Sequence, residues 1–195
     1  MATTLTENQK MANSFEQVTK ELSLESDRGA VILAFAWMDE QLTSLITKFC
    51  FPSIEKKDEL FGTGKAIGDA ATKINLAFRL GLINDKTHKS LHGFRKLRND
   101  FAHLTTSLSF DDDSVRDRLK NIFELERMVL EALWESACTN EILQPHLKQH
   151  SGKSAISGLS DTMKPKALFC ITAGIVVSGL ALLCERTEQV HPQLF

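Results

Sequence analysis

Residues 60–103 read LFGTGKAIGDAATKINLAFRLGLINDKTHKSLHGFRKLRNDFAH, and two helical periods separated by a turn can be read from them. From Ala66 onward the apolar positions Ile67, Ala70, Ile74, Ala77 and Phe78 recur at intervals of three and four, which predicts a helix with one apolar face. Gly81 ends it, because glycine adopts the left-handed C-cap conformation without steric penalty. Asn84 then offers an N-cap for a second helix running to about His103. On that helix Leu91, Phe94, Leu97 and Phe101 fall on one face. Strand-like alternation is nearly absent, so the fold class expected is all-α.

The flanks extend the same pattern. Residues 5–24 carry Phe15, Val18 and Leu22 at helical spacing. Residues 27–51 carry a wide apolar stripe (Val31, Ile32, Phe35, Met38, Leu42, Leu45, Ile46 and Phe49) that Pro52 ends. Residues 54–64 are charged and glycine-containing, which predicts a loop with a helical turn around 56–61. The aspartates 111 to 113 stand before a predicted helix over 115–137, where carboxylates complement the helix dipole, so they read as capping rather than metal-binding. Pro145, Gly152, Gly158 and several serines make 139–161 the linker candidate. The architecture expected is a helical bundle of five or six helices: a domain over 1–138, a linker over 139–161, and an apolar C-terminal helix and tail over 162–195.

At 195 residues the chain can bury one real core, and 43% hydrophobic with 25% charged residues is ordinary globular composition. Lys plus Arg (23) nearly balance Asp plus Glu (25), so no global positive field exists and a DNA-coating protein is excluded. Cys50, Cys138, Cys170 and Cys184 form no C-x-x-C pair and read as buried thiols of a reducing cytoplasm, the expected location. The polar N-terminus lacks the order of a secretory signal. Residues 167–184, ALFCITAGIVVSGLALLC, are uncharged and at the lower edge of membrane-spanning length. One reading is a tail anchor with its basic side cytoplasmic. The other is a buried or partner-packed helix, favoured because Thr172, Gly174, Ser178 and Gly179 dilute the hydrophobicity and no Trp or Tyr marks an interface.

Taken together, Leu60-Phe61, Gly62 and Gly64, Gly68-Asp69, Lys73-Ile74, Leu76-Ala77-Phe78, Leu80-Gly81-Leu82-Ile83, Arg98-Asn99 and Ala102-His103 resemble the mannitol operon repressor family. The closing Arg98-Asn99-Asp100-Phe101-Ala102-His103 also resembles the broader HEPN pattern, an Arg and a His four to six residues apart with a polar residue, here Asn99, after the Arg. The resemblance implies a helical bundle, often dimeric. Active HEPN members are metal-independent ribonucleases in which His moves a proton of the ribose 2′-hydroxyl or the leaving oxygen and Arg steadies the phosphate, at sites where two subunits meet. Many relatives have lost catalysis and serve as binding modules. The apolar 167–184 departs from a more polar terminal helix and would alter the partner or the location.

Helix geometry bears on the same residues. Arg98 falls between Leu91 and Phe94 on the apolar face, so its charge needs a partner, while His103 lies about 140° away on the stripe of His92, Arg95 and Asn99. Either the helix ends before His103 and the chain turns back, or Arg98 and His103 of different subunits complete one site. Their chemistry suffices for metal-free transesterification: an imidazole that titrates near neutrality and a planar fork for phosphate oxygens. Equally, Arg98 could pair with Asp100 of a neighbouring chain or another carboxylate, with His103 a satisfied helix-end residue.

Other patterns are weaker. Gly62-Thr63-Gly64-Lys65 lacks the first glycine and the Ser or Thr of a phosphate loop and reads as a helix-starting turn. His88 and His92 are four apart, but Lys89 stands where a zinc protease carries Glu and no third ligand is suggested, so they read as solvated. No cofactor and no metal site is read from the sequence. Two functions of different class follow. One is a regulatory protein acting as a helical dimer through protein partners in transcriptional or signalling control. The other is a metal-independent ribonuclease, a toxin or defence effector, using Arg98 and His103 with Asn99 in support. Direct sequence-specific DNA binding is not expected, because Arg95, Lys96 and Arg98 are followed at once by Asp100.

Overall fold

The computed structural model describes residues 6–54, 58–103, 108–147 and 152–191, and every helix or strand among them is a helix. In chain order they are α1 (Glu7–Leu24), α2 (Asp27–Phe49), α3 (Ala70–Arg79), α4 (Asp85–His103), α5 (Asp113–Leu125), α6 (Arg127–Thr139), α7 (Gln144–Leu147), α8 (Ala155–Thr162) and α9 (Pro165–Arg186). The all-α helical bundle read from the sequence is the fold observed. The helical turn expected around 56–61 lies partly outside the described residues, and Phe61 makes only an isolated bridge to Ile67.

Side-chain caps set several helix starts. Thr6 and Gln9 form a reciprocal capping box at α1, the Ser26 hydroxyl accepts from Gly29 N–H at α2, and Asn84 Oδ1 accepts from Thr87 N–H (2.9 Å) at α4. Each such cap contributes about 1 kcal/mol. Gly81 adopts φ +73° after α3, and Leu82 N–H returns to Ala77 O (2.9 Å), closing the helix as the sequence predicts.

Two boundaries differ from expectation. Helix α3 begins at Ala70 rather than Ala66, because residues 60–69 are wound into a tight turn. Gly62 (φ +110°) and Gly64 (φ +77°) reverse the chain, Ile67 N–H bonds Leu60 O (2.8 Å), and a Cβ on Gly68 would lie 2.4 Å from Gly62 O. Only then does Asp69 cap α3 through Ala71 N–H (2.9 Å) and Thr72 N–H (3.1 Å). The single helix expected over 115–137 is two, broken at Glu126. The halves bury different faces: α5 buries Val115, Leu119, Ile122 and Phe123 with α4 as its main neighbour, whereas α6 turns Trp134 onto Gly158 of α8. Asp112, at the N-cap position of α5, accepts from Ser109 N–H (2.8 Å) outside the helix instead of capping it.

Helix α9 contains the apolar 167–184 and is long and apolar enough to cross a membrane by composition; 61% of that window is buried inside the fold. It packs along α1 and α2, close enough at Gly174 that a Cβ would meet Thr19 Oγ1 at 2.5 Å. Its C-terminal end is fixed by polar bonds: Lys48 Nζ donates to Cys184 O (2.7 Å) and Glu185 O (2.8 Å), and Arg186 pairs with Glu7 (2.6 Å). In the centre, Phe169 stacks at 4.8 Å on Phe110 and 5.9 Å from Phe94, joining α9 to α4. Each such buried side chain stabilises the fold by roughly 1.5–3 kcal/mol. Within 139–161 the described residues include α7 and α8, and Gly158 lets α8 touch the Trp134 ring.

Candidate functional site

Arg98 sits at the edge of the buried face of α4, one residue past Leu97. Its guanidinium lies over the Phe35 ring of α2, Cζ 5.1 Å from the ring centroid. Such a contact contributes about 0.5–2 kcal/mol. Among the described residues no carboxylate forms an ion pair with it, and Asp100 is instead taken by Arg118 (3.1 Å). The charge required on this face has therefore met an aromatic ring rather than an anion.

Around it opens a groove of about 490 Å³ between α2, the α3 N-terminus and α4. Phe35 and Ala36 line its α2 side, the turn at Gly68-Asp69 forms a wall, and Asp39 and Arg98 supply charge. Lys73 is only 6% exposed and reaches Asp39 Oδ2 at 2.7 Å. The second oxygen, Asp39 Oδ1, is buried without a hydrogen-bond partner. At the rim the Asp69 carboxyl is held below its usual range, first by the Thr72 hydroxyl, then by backbone N–H groups, with a smaller contribution from Arg95. The groove thus presents, beside an apolar floor, a guanidinium with no ion-pair partner among the described residues, which suits a ligand carrying an anion.

The sequence reading did not single out Asp39, and it placed Lys73 only within the Lys73-Ile74 piece of the resemblance, without a partner. A signal was present for both: Lys73 interrupts the apolar period of α3 beside Ile74, and Asp39 follows Phe35 by one turn of α2, so each charge had to find the other.

His103 is elsewhere. Helix α4 continues through His103, which is exposed and does not line the groove, so the chain does not turn back before it. Within one chain the structure does not bring Arg98 and His103 together. Asn99, half-buried, follows Arg98 on α4, and the carbonyl of Ala102 accepts from the Arg28 guanidinium (2.8 Å). His88 and His92, read as solvated, are instead both bonded to Asn75. Burial pushes the Cys170 thiol up to about 11, leaving it protonated at neutral pH. Among the described residues no three His, Cys, Asp or Glu side chains cluster to hold a metal.

No family model matches the chain, and no curated protein matches it. Among solved structures it is similar to a chain of the X-ray structure of the MtlR–HPr complex from Escherichia coli, with a TM-score of 0.56 and 15% identity over 88% of this chain and 98% of that one. At that identity the likeness is one of fold: this chain shares its helical architecture with a protein solved in the MtlR–HPr complex.

Proposed function

We propose that this chain is a regulatory protein of mannitol-repressor-like type that acts through a protein partner in transcriptional or signalling control, as a helical dimer. The observation that carries this reading is the Arg98 guanidinium, held by Phe35 at an open groove without a carboxylate of its own. A partner side chain bearing a carboxylate would pair with that fork. The fold likeness to a chain of the MtlR–HPr complex supports the same reading. HPr is accordingly the first partner to try. Calorimetric titration with Escherichia coli HPr is expected to give saturable binding, weakened at least about tenfold by Arg98→Ala, a change of about 1.4 kcal/mol. HPr that fails to bind, or binds Arg98→Ala equally well, overturns this reading. Sedimentation should give twice the chain mass of 21.8 kDa.

The same unpaired guanidinium favours a second reading, the metal-independent ribonuclease. Because Arg98 and His103 diverge on one straight helix, that reading requires Arg98 of one subunit to meet His103 of another. RNA cleavage that survives chelator and disappears in both Arg98→Ala and His103→Ala would establish it.

A further inference from the structure

A second polar constellation lies on α4 about two to three turns nearer its start, and it is independent of the partner-docking reading. His88 and His92 stand one helical turn apart, and their Nε2 atoms lie 2.9 and 3.0 Å from the same atom, Asn75 Oδ1 of α3. Packing fixes the rings. Phe78 stacks on His88 with centroids 4.7 Å apart, and His92 meets His88 edge-on at 4.6 Å. Two imidazole nitrogens therefore converge on one amide oxygen where α4 meets α3, and His88 and His92 also line a groove of about 550 Å³ between α4 and α5 with Gly93, Lys96 and Asn121.

We propose that His88 Nε2, His92 Nε2 and Asn75 Oδ1 form a binding site for a borderline divalent ion of the Zn²⁺, Cu²⁺ or Ni²⁺ class. Neutral imidazole suits these metals, whereas Ca²⁺ and Mg²⁺ demand carboxylate-rich oxygen sets that this site lacks. Zinc sits about 2.0–2.1 Å from an imidazole nitrogen, which at a tetrahedral angle sets its ligands roughly 3.3 Å apart, so the present 2.9 and 3.0 Å separations must open by a few tenths of an ångström, with the exposed Asn75 side chain making the adjustment. Both Nε2–H groups now donate to the amide oxygen; on metal binding each imidazole shifts to the tautomer with its proton on Nδ1 and offers the Nε2 lone pair. No net proton is released from the neutral rings, and water completes the coordination.

The surrounding charges set the strength. Lys89 is neutralised by Asp85 (2.7 Å) and Arg118 by Asp100 (3.1 Å), leaving Lys96 and Arg95 as the cations near the ring of His92. They oppose the incoming ion, so the affinity expected is micromolar rather than that of a structural zinc site. Partial burial and those same cations also keep His92 below its ordinary range, in the neutral ligating form at pH 7.

The test is calorimetric titration of the full-length chain with Zn²⁺ at pH 7, with Mg²⁺ as the control ion. The expected result is one saturable site per chain for Zn²⁺ and none for Mg²⁺. His88→Ala and His92→Ala should each weaken binding at least about tenfold, and Asn75→Ala by several-fold, with helical circular dichroism unchanged. His88→Gln serves the same purpose should the alanine variant lose its fold. With Cu²⁺ as the probe, paramagnetic resonance should show coupling to two equivalent-type nitrogens. Zn²⁺ that does not bind, or that binds both histidine variants as well as the unaltered chain, overturns the site; Zn²⁺ binding indifferent to Asn75→Ala overturns the three-donor assignment.

Discussion

On the side of α4 that faces α2, Arg98 stands over Phe35 with no carboxylate bound among the described residues; nearer the start of α4, His88 and His92 share the one amide oxygen of Asn75. Both places carry polar groups on a helix that also supplies Leu91, Phe94, Leu97 and Phe101 to the core. They differ in how those groups are satisfied. The histidine cluster is complete without a visitor, so it binds only a species that outcompetes a hydrogen bond. The Arg98 groove is incomplete: a half-buried cation is held in place by an aromatic ring that does not neutralise it. That difference separates a site where a ligand is optional from one whose groups are matched only when something docks.

The contrast can be broken most forcefully at Asp39. Asp39→Ala would leave the buried Lys73 ammonium without a counterion, and chemical denaturation should show a loss of about 3 kcal/mol. A loss below about 1 kcal/mol would mean that the Lys73–Asp39 pair is not what holds α2 to α3. Next in size is Gly68→Ala. Its Cβ would press on the Gly62 carbonyl, and thermal unfolding should report a cost of about 1–3 kcal/mol together with a weakened partner interaction, because Gly68 forms the groove wall. Asp69→Ala removes the α3 cap and should cost about 1 kcal/mol at pH 7.

Arg98→Ala is expected to be milder for the fold, on the order of 0.5–1 kcal/mol, since only the contact with Phe35 is lost. Its partner-binding defect should be far larger than its stability defect. A stability loss as large as that of Asp39→Ala would make Arg98 architectural. The smallest effect belongs to the histidine side. His92 is held below its ordinary value, first by burial and then by His88, Arg95 and Lys96. Its neutral form is therefore favoured by folding: this contribution is complete above the unfolded value of about 6.5 and is lost as pH falls toward the lower folded value. Melting temperature followed from pH 7.5 to 5 should fall, and His92→Gln should flatten that slope.

Much of the fold could be read from residue spacing. The stop at Gly81, the start at Asn84 and the α4 face of Leu91, Phe94, Leu97 and Phe101 rest on local rules, and the structure obeys them. What escaped reading depends on contacts between distant segments. The break at Glu126 is invisible in a continuous apolar period, since it reflects two halves packing against different neighbours. The late start of α3 follows from how closely Gly68 approaches Gly62 O, which spacing does not encode. At the candidate site the sequence located Arg98 and its need for a partner, but not Phe35 or the Lys73–Asp39 pair, which are joined only by the packing of α2 on α3 and α4. The divergence of Arg98 and His103 was legible from the helical angle alone; that α4 continues straight through His103 was not.

Docking of a protein on the Arg98 groove carries the proposed function. Photo-crosslinking in cells tests it most directly, with benzoylphenylalanine placed at Ile32 in the groove or at the exposed Met128 of α6 as a control. The account predicts a discrete covalent protein adduct from position 32, lost when Arg98→Ala is added, and none of that adduct from position 128. Crosslinks from position 32 to RNA, or a protein adduct that forms from position 128 and not from position 32, would contradict it.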